Sequence, residues 1–131
     1  MLSAEEFVRL RQSERSEDYL RATTENAEID VWLEIINQFP SMRIWVAQNK
    51  TVPMEILSML ARDEDPAVRA FVAMKNKLSV GLFKLLAADS DNSVRNRIAH
   101  NKNAPVEVLR DLANDSDEDT SSKVRERLAS L

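Results

Sequence analysis

Apolar residues recur along most of the chain at intervals of three and four residues, the spacing of one face of an α-helix. The pattern comes in blocks, and three blocks carry equivalent leucines at one constant interval, at Leu60, Leu86 and Leu112. A shorter apolar pattern follows each block, as at Val68 and Val72. The chain is therefore predicted to repeat a unit of two helices, which we name helix A and helix B.

Proline and acidic residues separate the predicted helices. Asp65 precedes Pro66 as an N-cap residue precedes a proline in the first helical turn. The other prolines also fall between helices, at Pro40, Pro53 and Pro105. Because periodicity and capping agree, we expect an all-α fold. It should be a short right-handed α-solenoid of helical pairs with a period of 26 residues, the interval between Leu60, Leu86 and Leu112.

The beginning of the chain, residues 1–26, is predicted to form an N-terminal helical cap. Ser3 and Glu6 have the spacing of a capping box, which favours a helix that begins directly after Ser3. A second short helix is expected from Ser16, and it carries Tyr19.

About four helical repeats are expected over residues 27–131, and the whole chain, residues 1–131, is expected to be a single domain. In the last copy, the step from Arg95 to Arg125 is longer than the period by four positions. We therefore expect four extra residues in the turn of that copy, and a polar exterior typical of a capping repeat.

Two stretches, residues 49–63 and 101–115, share the pattern Asn-x-x-x-Pro-x-x-x-Leu-x-x-Leu-Ala-x-Asp, and Val68-Arg69 follows the first of them. This pattern resembles the HEAT-like repeats, and especially the variant leucine-rich repeat of bacterial proteins. The resemblance covers about residues 27–131. It implies a helical-pair scaffold that binds proteins, although a minority of such arrays bind nucleic acid or act as DNA glycosylases. It leaves open whether each second helix is α or 3₁₀.

The resemblance also implies a structural ladder of Asp–Arg pairs, formed by Asp63 with Arg69 and by Asp89 with Arg95. Each arginine is expected to bridge the Asp carboxylates of its own and the neighbouring repeat, because a planar guanidinium can serve two acceptors. The alternative is an arginine row that grips phosphates. The ladder is favoured because an Asp at the same position already neutralises each Arg.

A first candidate surface is the helix B row, the position two residues after each repeat arginine. Its members are Trp45, Phe71, Arg97 and Arg127. In α-solenoids the B helices commonly line the concave face, and aromatic and arginine side chains are typical of protein-binding surfaces. If any row binds a protein partner, we expect it to be this one, with Asn96 and His100 beside it. The alternative, which is favoured for Trp45 and Phe71, is that they belong to the core.

A second candidate surface is the lysine edge, formed by the turns between repeats. Its members are Lys50, Lys75, Lys77 and Lys102. Helix dipoles account for part of this pattern, because lysines lie just past the C-termini of the B helices and acidic residues lie at their N-termini. The alternative is an edge that binds a charged partner such as a nucleic-acid backbone.

Composition narrows the classes of function. The chain has no cysteine and one histidine, His100, so neither a zinc site nor a nucleophile–base pair can be assembled. The lack of cysteine also fits the cytoplasm. A net charge of −4 argues against bulk affinity for nucleic acid. No apolar run approaches the ~20 residues that span a bilayer.

We therefore expect a cytoplasmic, non-enzymatic scaffold that binds an unidentified protein and needs no metal or cofactor. Nucleic-acid binding through the lysine edge is the alternative. No association with membranes is expected, and the sequence predicts no oligomeric state.

Overall fold

The computed structural model describes residues 1–131 and contains ten α-helices, one 3₁₀ turn and no β-strand. The predicted all-α fold is therefore confirmed. The chain divides into two compact units, Met1–Leu60 and Ala61–Leu131. No helix combines the length and the apolar character that crossing a bilayer requires.

The N-terminal unit is built from five α-helices and the 3₁₀ turn. Its helices are α1 (Ala4–Gln12), α2 (Ser16–Thr24), α3 (Ile29–Gln38), α4 (Arg43–Gln48) and α5 (Met54–Leu60), with the 3₁₀ turn at Pro40–Met42 before α4. Helix α1 begins as predicted, because the Ser3 hydroxyl accepts a hydrogen bond of 3.1 Å from the Glu6 N–H. The core centres on Trp32, which is fully buried and meets the Phe7 ring edge-to-face at 5.5 Å.

Helix α2 begins at Ser16, as predicted, but turns its two largest apolar side chains to the surface. Tyr19 and Leu20 are both exposed, whereas Asp18 and Ala22 are buried. Asp18 and Ala22 are four residues apart and so share one helix face. The small alanine on that face lets the helix lie close to its neighbours.

The C-terminal unit consists of α6 (Pro66–Ala73), α7 (Val80–Ala87), α8 (Asn92–His100), α9 (Val106–Asp111) and α10 (Glu118–Ala129). Helix α8 contacts both α6 and α10, and α7 contacts α9, so α6, α8 and α10 form one layer and α7 and α9 the other. The second helix of each predicted pair is α-helical, which decides between the α and 3₁₀ alternatives. The buried side chains between the layers include Val72, Leu86, Val94, Ile98, Leu112 and Val124.

The three helices of the first layer begin in the same way. In each, one Asp caps the helix by accepting a backbone N–H, at Asp65, Asp91 and Asp117. The Asp two residues earlier accepts the N–H of that cap residue at 2.9 Å, at Asp63, Asp89 and Asp115. The acidic turns thus stabilise the helix starts.

This geometry corrects the prediction for the last copy. The acidic turn before α10, residues 115–117, matches the turn before α8, residues 89–91, position for position, and α10 is instead the longer helix, with 12 residues against 9. The position that corresponds to Arg95, four residues after the N-cap, is therefore Ser121, which is buried. The expected insertion of four residues in the turn is wrong, because the matching of Arg125 to Arg95 was wrong.

Candidate functional site

The predicted Asp–Arg ladder is present between consecutive acidic turns. Arg69 donates from Nε and Nη2 to both carboxylate oxygens of Asp89, at 2.8 and 3.1 Å. Arg95 donates in the same way to Asp115, at 2.8 and 3.2 Å. These bidentate pairs link α6 and α8 to the turns that follow them along the chain.

The contact of each arginine with its own repeat differs from the prediction. Nη1 of Arg69 donates to the backbone carbonyl of Asp63 at 2.7 Å, and Nη1 of Arg95 donates to that of Asp89 at 2.8 Å. The prediction of carboxylate contacts within the repeat is corrected, because the Asp89 carboxylate is already engaged by Arg69. Both Arg69 and Arg95 thus donate from all three side-chain nitrogens to groups within the protein.

Burial and charge shift the pKa of Asp115 in opposite directions. Burial alone would raise the pKa of Asp115, but the Arg95 guanidinium and the Asp117 N–H outweigh it and lower that pKa. The hydrogen bonds that Arg95 donates to the Asp115 carboxylate in turn raise the pKa of Arg95. With the Arg95 and Asp115 side chains only 15% and 8% exposed, the pair is a structural element and not a docking point for phosphate.

Asparagine amides satisfy the carbonyl groups at the C-terminal end of α6. The buried Asn101 donates from Nδ2 to the carbonyls of Ala73 and Lys75, at 2.9 and 2.7 Å. Asn103 donates to the carbonyl of Asn76 at 2.8 Å. The carbonyls that would otherwise attract cations at this helix end are therefore bonded to neutral groups.

Arg127 performs the corresponding role at the end of α8. Its Nη1 donates to the carbonyls of Ala99 and Asn101, at 2.8 and 2.9 Å. Since Arg127 lies one full period after Asn101, it matches that asparagine and not Arg97. Its assignment to the helix B row is wrong, and Lys123 occupies the position one period after Arg97.

Asn96 is also engaged inside the unit. Its Nδ2 donates to the Asp119 carboxylate at 2.7 Å and to the Thr120 hydroxyl at 3.1 Å, so it joins α8 to α10. Because Asn96 donates both amide hydrogens to α10, it has none free for the partner-binding role that was predicted for it.

Residues of both predicted surfaces meet in one groove of about 290 Å³ in the C-terminal unit. We call it the B-end groove, and it is lined by Met74, Asn76, Arg97, His100, Asn101 and Lys102. Arg97 and His100 were predicted from the helix B row and Lys102 from the lysine edge. Neither Arg97 nor Lys102 makes a hydrogen bond or an ion pair, and none of the lining residues is acidic.

His100 forms one wall of the groove. Its Nδ1 lies 3.0 Å from the Asn96 carbonyl oxygen, and its Nε2 lies 4.0 Å from the Asp119 carboxylate. No group of three or more His, Cys, Asp or Glu side chains is arranged to hold a metal ion.

Trp45 lies in the N-terminal unit and is half-buried, which is intermediate between the two alternatives of core and surface. The Arg11 guanidinium carbon lies 3.8 Å from the centre of the Trp45 ring and 4.7 Å from the centre of the Tyr19 ring. Gln48 donates to the Tyr19 hydroxyl at 2.8 Å. Sequence reasoning missed Arg11, which is distant from Trp45 along the chain and belongs to no repeated position.

The remaining predicted residues are placed as follows. In the N-terminal unit Lys50 is exposed, and its backbone N–H donates to the Thr23 carbonyl at 2.7 Å. In the C-terminal unit Phe71 and Lys75 are half-buried and Lys77 is exposed. None of these lines the B-end groove.

Comparison with protein-family models, with curated proteins and with solved structures gave no match.

Proposed function

We propose that the protein is a non-enzymatic helical-repeat scaffold that binds another protein through the B-end groove. The observation that carries this proposal is the pair of unpartnered cations, Arg97 and Lys102, beside helix ends whose carbonyls are already satisfied. Neither Arg97 nor Lys102 donates a hydrogen bond to the terminal carbonyls of α6 or α8. Asn101, Asn103 and Arg127 make those contacts instead.

We further propose that the helical pairs form a right-handed α-solenoid of the HEAT-like kind, closest to the bacterial variant leucine-rich repeat. The evenly spaced N-caps Asp65, Asp91 and Asp117 support this proposal, as do the two equivalent Arg–Asp pairs. A chain without cysteine also suits the reducing cytoplasm, where we place the protein.

A protein partner fits the B-end groove better than a nucleic acid does. The groove combines two permanent cations with the Met74 side chain, which is 49% exposed, and thus joins charged and apolar surface. A nucleic-acid site would need many phosphate contacts, whereas the groove offers two permanent cations, Arg97 and Lys102.

Selection of peptides on the intact protein tests this function. A library of random short peptides displayed on phage is selected against the parent chain and then compared on Arg97→Glu/Lys102→Glu. We expect peptides that bind the parent to lose binding to the double variant. Arg110→Glu is the matched control, since Arg110 lies in the same unit, is exposed and forms no ion pair. Selected peptides that bind the double variant as well as the parent would refute the groove as the site.

Heparin retention and a short fluorescent single-stranded oligonucleotide test the nucleic-acid alternative at about 50 mM salt. We expect neither to bind. Binding of the oligonucleotide that Arg97→Glu/Lys102→Glu abolishes and Arg110→Glu preserves would replace the proposed protein partner with a nucleic acid.

A further inference from the structure

We infer that the B-end groove takes a short acidic peptide segment, with carboxylates at Arg97 and Lys102 and an apolar side chain beside Met74. The inference rests on the proposed function and adds the chemistry of the partner. It starts from the charge of the groove, which carries two cations without counter-ions and no acidic lining residue.

The two cations favour a ligand that carries at least two carboxylates. Arg97 can present two parallel N–H donors to one carboxylate, and Lys102 can act as a point charge for a second. The acid beside this groove, Asp119, lies 4.0 Å from His100 Nε2 and accepts a hydrogen bond from Asn96. Asp119 forms no ion pair with Arg97 or Lys102, so neither cation has a direct counter-ion.

The size of the groove favours a short segment over a folded domain. A volume of about 290 Å³ lies at the small end of ligand sites and accommodates a few side chains. Met74 is exposed within it and offers an adaptable apolar contact. The Asn76 side-chain amide makes no hydrogen bond and can pair with a peptide backbone.

Fluorescence anisotropy with defined peptides tests the inference on the full chain. The probe is a fluorescein-labelled peptide with the centre Glu-Glu-Leu-Glu-Glu between Gly-Ser flanks. Two matched peptides replace either the four glutamates by glutamine or the leucine by serine. We expect the glutamine peptide to bind at least tenfold more weakly than the probe and the serine peptide to bind a few-fold more weakly.

Protein variants then locate the site. Arg97→Ala is expected to weaken binding of the acidic probe about tenfold, which corresponds to the loss of one charge-assisted hydrogen-bonded contact. Lys102→Ala is expected to weaken it a few-fold, since a lysine gives a less directional contact. Arg110→Ala should leave it within about twofold. Matching circular dichroism spectra and melting midpoints establish that the variants are folded.

Three outcomes overturn the inference. If the acidic and glutamine peptides bind equally, the carboxylates are not recognised. If the acidic probe fails but phage-selected neutral peptides still require Arg97 and Lys102, the inference fails and the proposed function stands. If sedimentation shows a dimer that Arg97→Ala dissociates, the occupant is a second copy of the chain and not an acidic segment.

Discussion

Two arginines on α8, two residues apart, have opposite environments. Arg95 is mostly buried and gives its donors to Asp115 and to the Asp89 carbonyl, whereas Arg97 is exposed and has no partner. The resemblance to HEAT-like repeats implied the first environment, a ladder of Asp–Arg pairs. The second depends on which neighbouring groups satisfy the helix end, and only the fold decides that.

Breaking the Arg95–Asp115 pair should destabilise the protein strongly. Arg95→Ala leaves the Asp115 carboxylate, 8% exposed, without its counter-ion, and we expect a loss of about 3 kcal/mol in the free energy of unfolding at pH 7. Lys84→Ala is the control, because the Lys84–Glu107 pair is more than half exposed and should contribute less than about 1 kcal/mol. Urea unfolding followed by circular dichroism measures both.

The Arg95–Asp115 pair should also make the stability of the protein depend on pH in the acid range. Because the pKa of folded Asp115 is lowered below its ordinary value of 3.8, its contribution is present above that value. The contribution is lost as the pH falls from there through the folded pKa. The stability difference between parent and Arg95→Ala should therefore shrink below about pH 4. A difference that stays constant from neutral pH far into the acid range would contradict this account of the pair.

Arg11 stabilises the N-terminal unit by contact and not by hydrogen bonds. Its Nε and Nη1 are buried without a partner, while its guanidinium contacts the rings of Trp45 and Tyr19. We expect Arg11→Ala to cost about 1–2 kcal/mol through lost ring contacts. Arg11→Met should cost less, because it retains apolar contact and removes the unsatisfied nitrogens.

Urea unfolding monitored by tryptophan fluorescence measures these Arg11 variants directly, since both tryptophans, Trp32 and Trp45, lie in the N-terminal unit. Equal losses for the alanine and methionine variants would show that the guanidinium charge itself, and not the contact area, provides the stability.

At the scale of elements, the sequence predicted where the helices begin but not how their ends are joined. Asp65 is visible as a cap because Asp before a proline at the start of an apolar helical pattern is a local signal. The amide of Asn101 reaches the carbonyls of Ala73 and Lys75, a full repeat earlier, which is a contact between different helices. Local patterns carry no such information.

Substitutions of Arg127 test whether the C-terminal ends of α6 and α8 are equivalent. Arg127→Ala removes the donor to the Ala99 and Asn101 carbonyls and should cost about 1–2 kcal/mol. Arg127→Asn places at this position the residue type that makes the same contacts at Asn101, so we expect it to retain more stability. Thermal melts of the two variants decide this, and an asparagine variant less stable than the alanine variant would show that the two positions are not equivalent.

At the scale of the whole molecule, the acidic and basic residues of the C-terminal unit are separated along its helices. Acids at Asp65, Asp91 and Asp117 cap the N-termini of α6, α8 and α10, and Arg97 and Lys102 lie at the C-terminal end of α8 or just beyond it. Helix dipoles favour this order at every repeat. The net charge of −4 alone would not have indicated a cationic groove.

The sequence by itself determined the all-α fold and helix starts such as those after Ser3 and Asp65, because periodicity and capping are properties of short segments. The Arg–Asp ladder was expected from the resemblance to HEAT-like repeats, and the fold decided which carboxylate each arginine engages. The tertiary structure decided which polar groups were left over. It assigned Arg127 and Asn96 to internal contacts and placed Arg97, His100 and Lys102 around one groove. Whether a side chain is free depends on every hydrogen-bonding group that its neighbours bring, and those neighbours are distant along the chain.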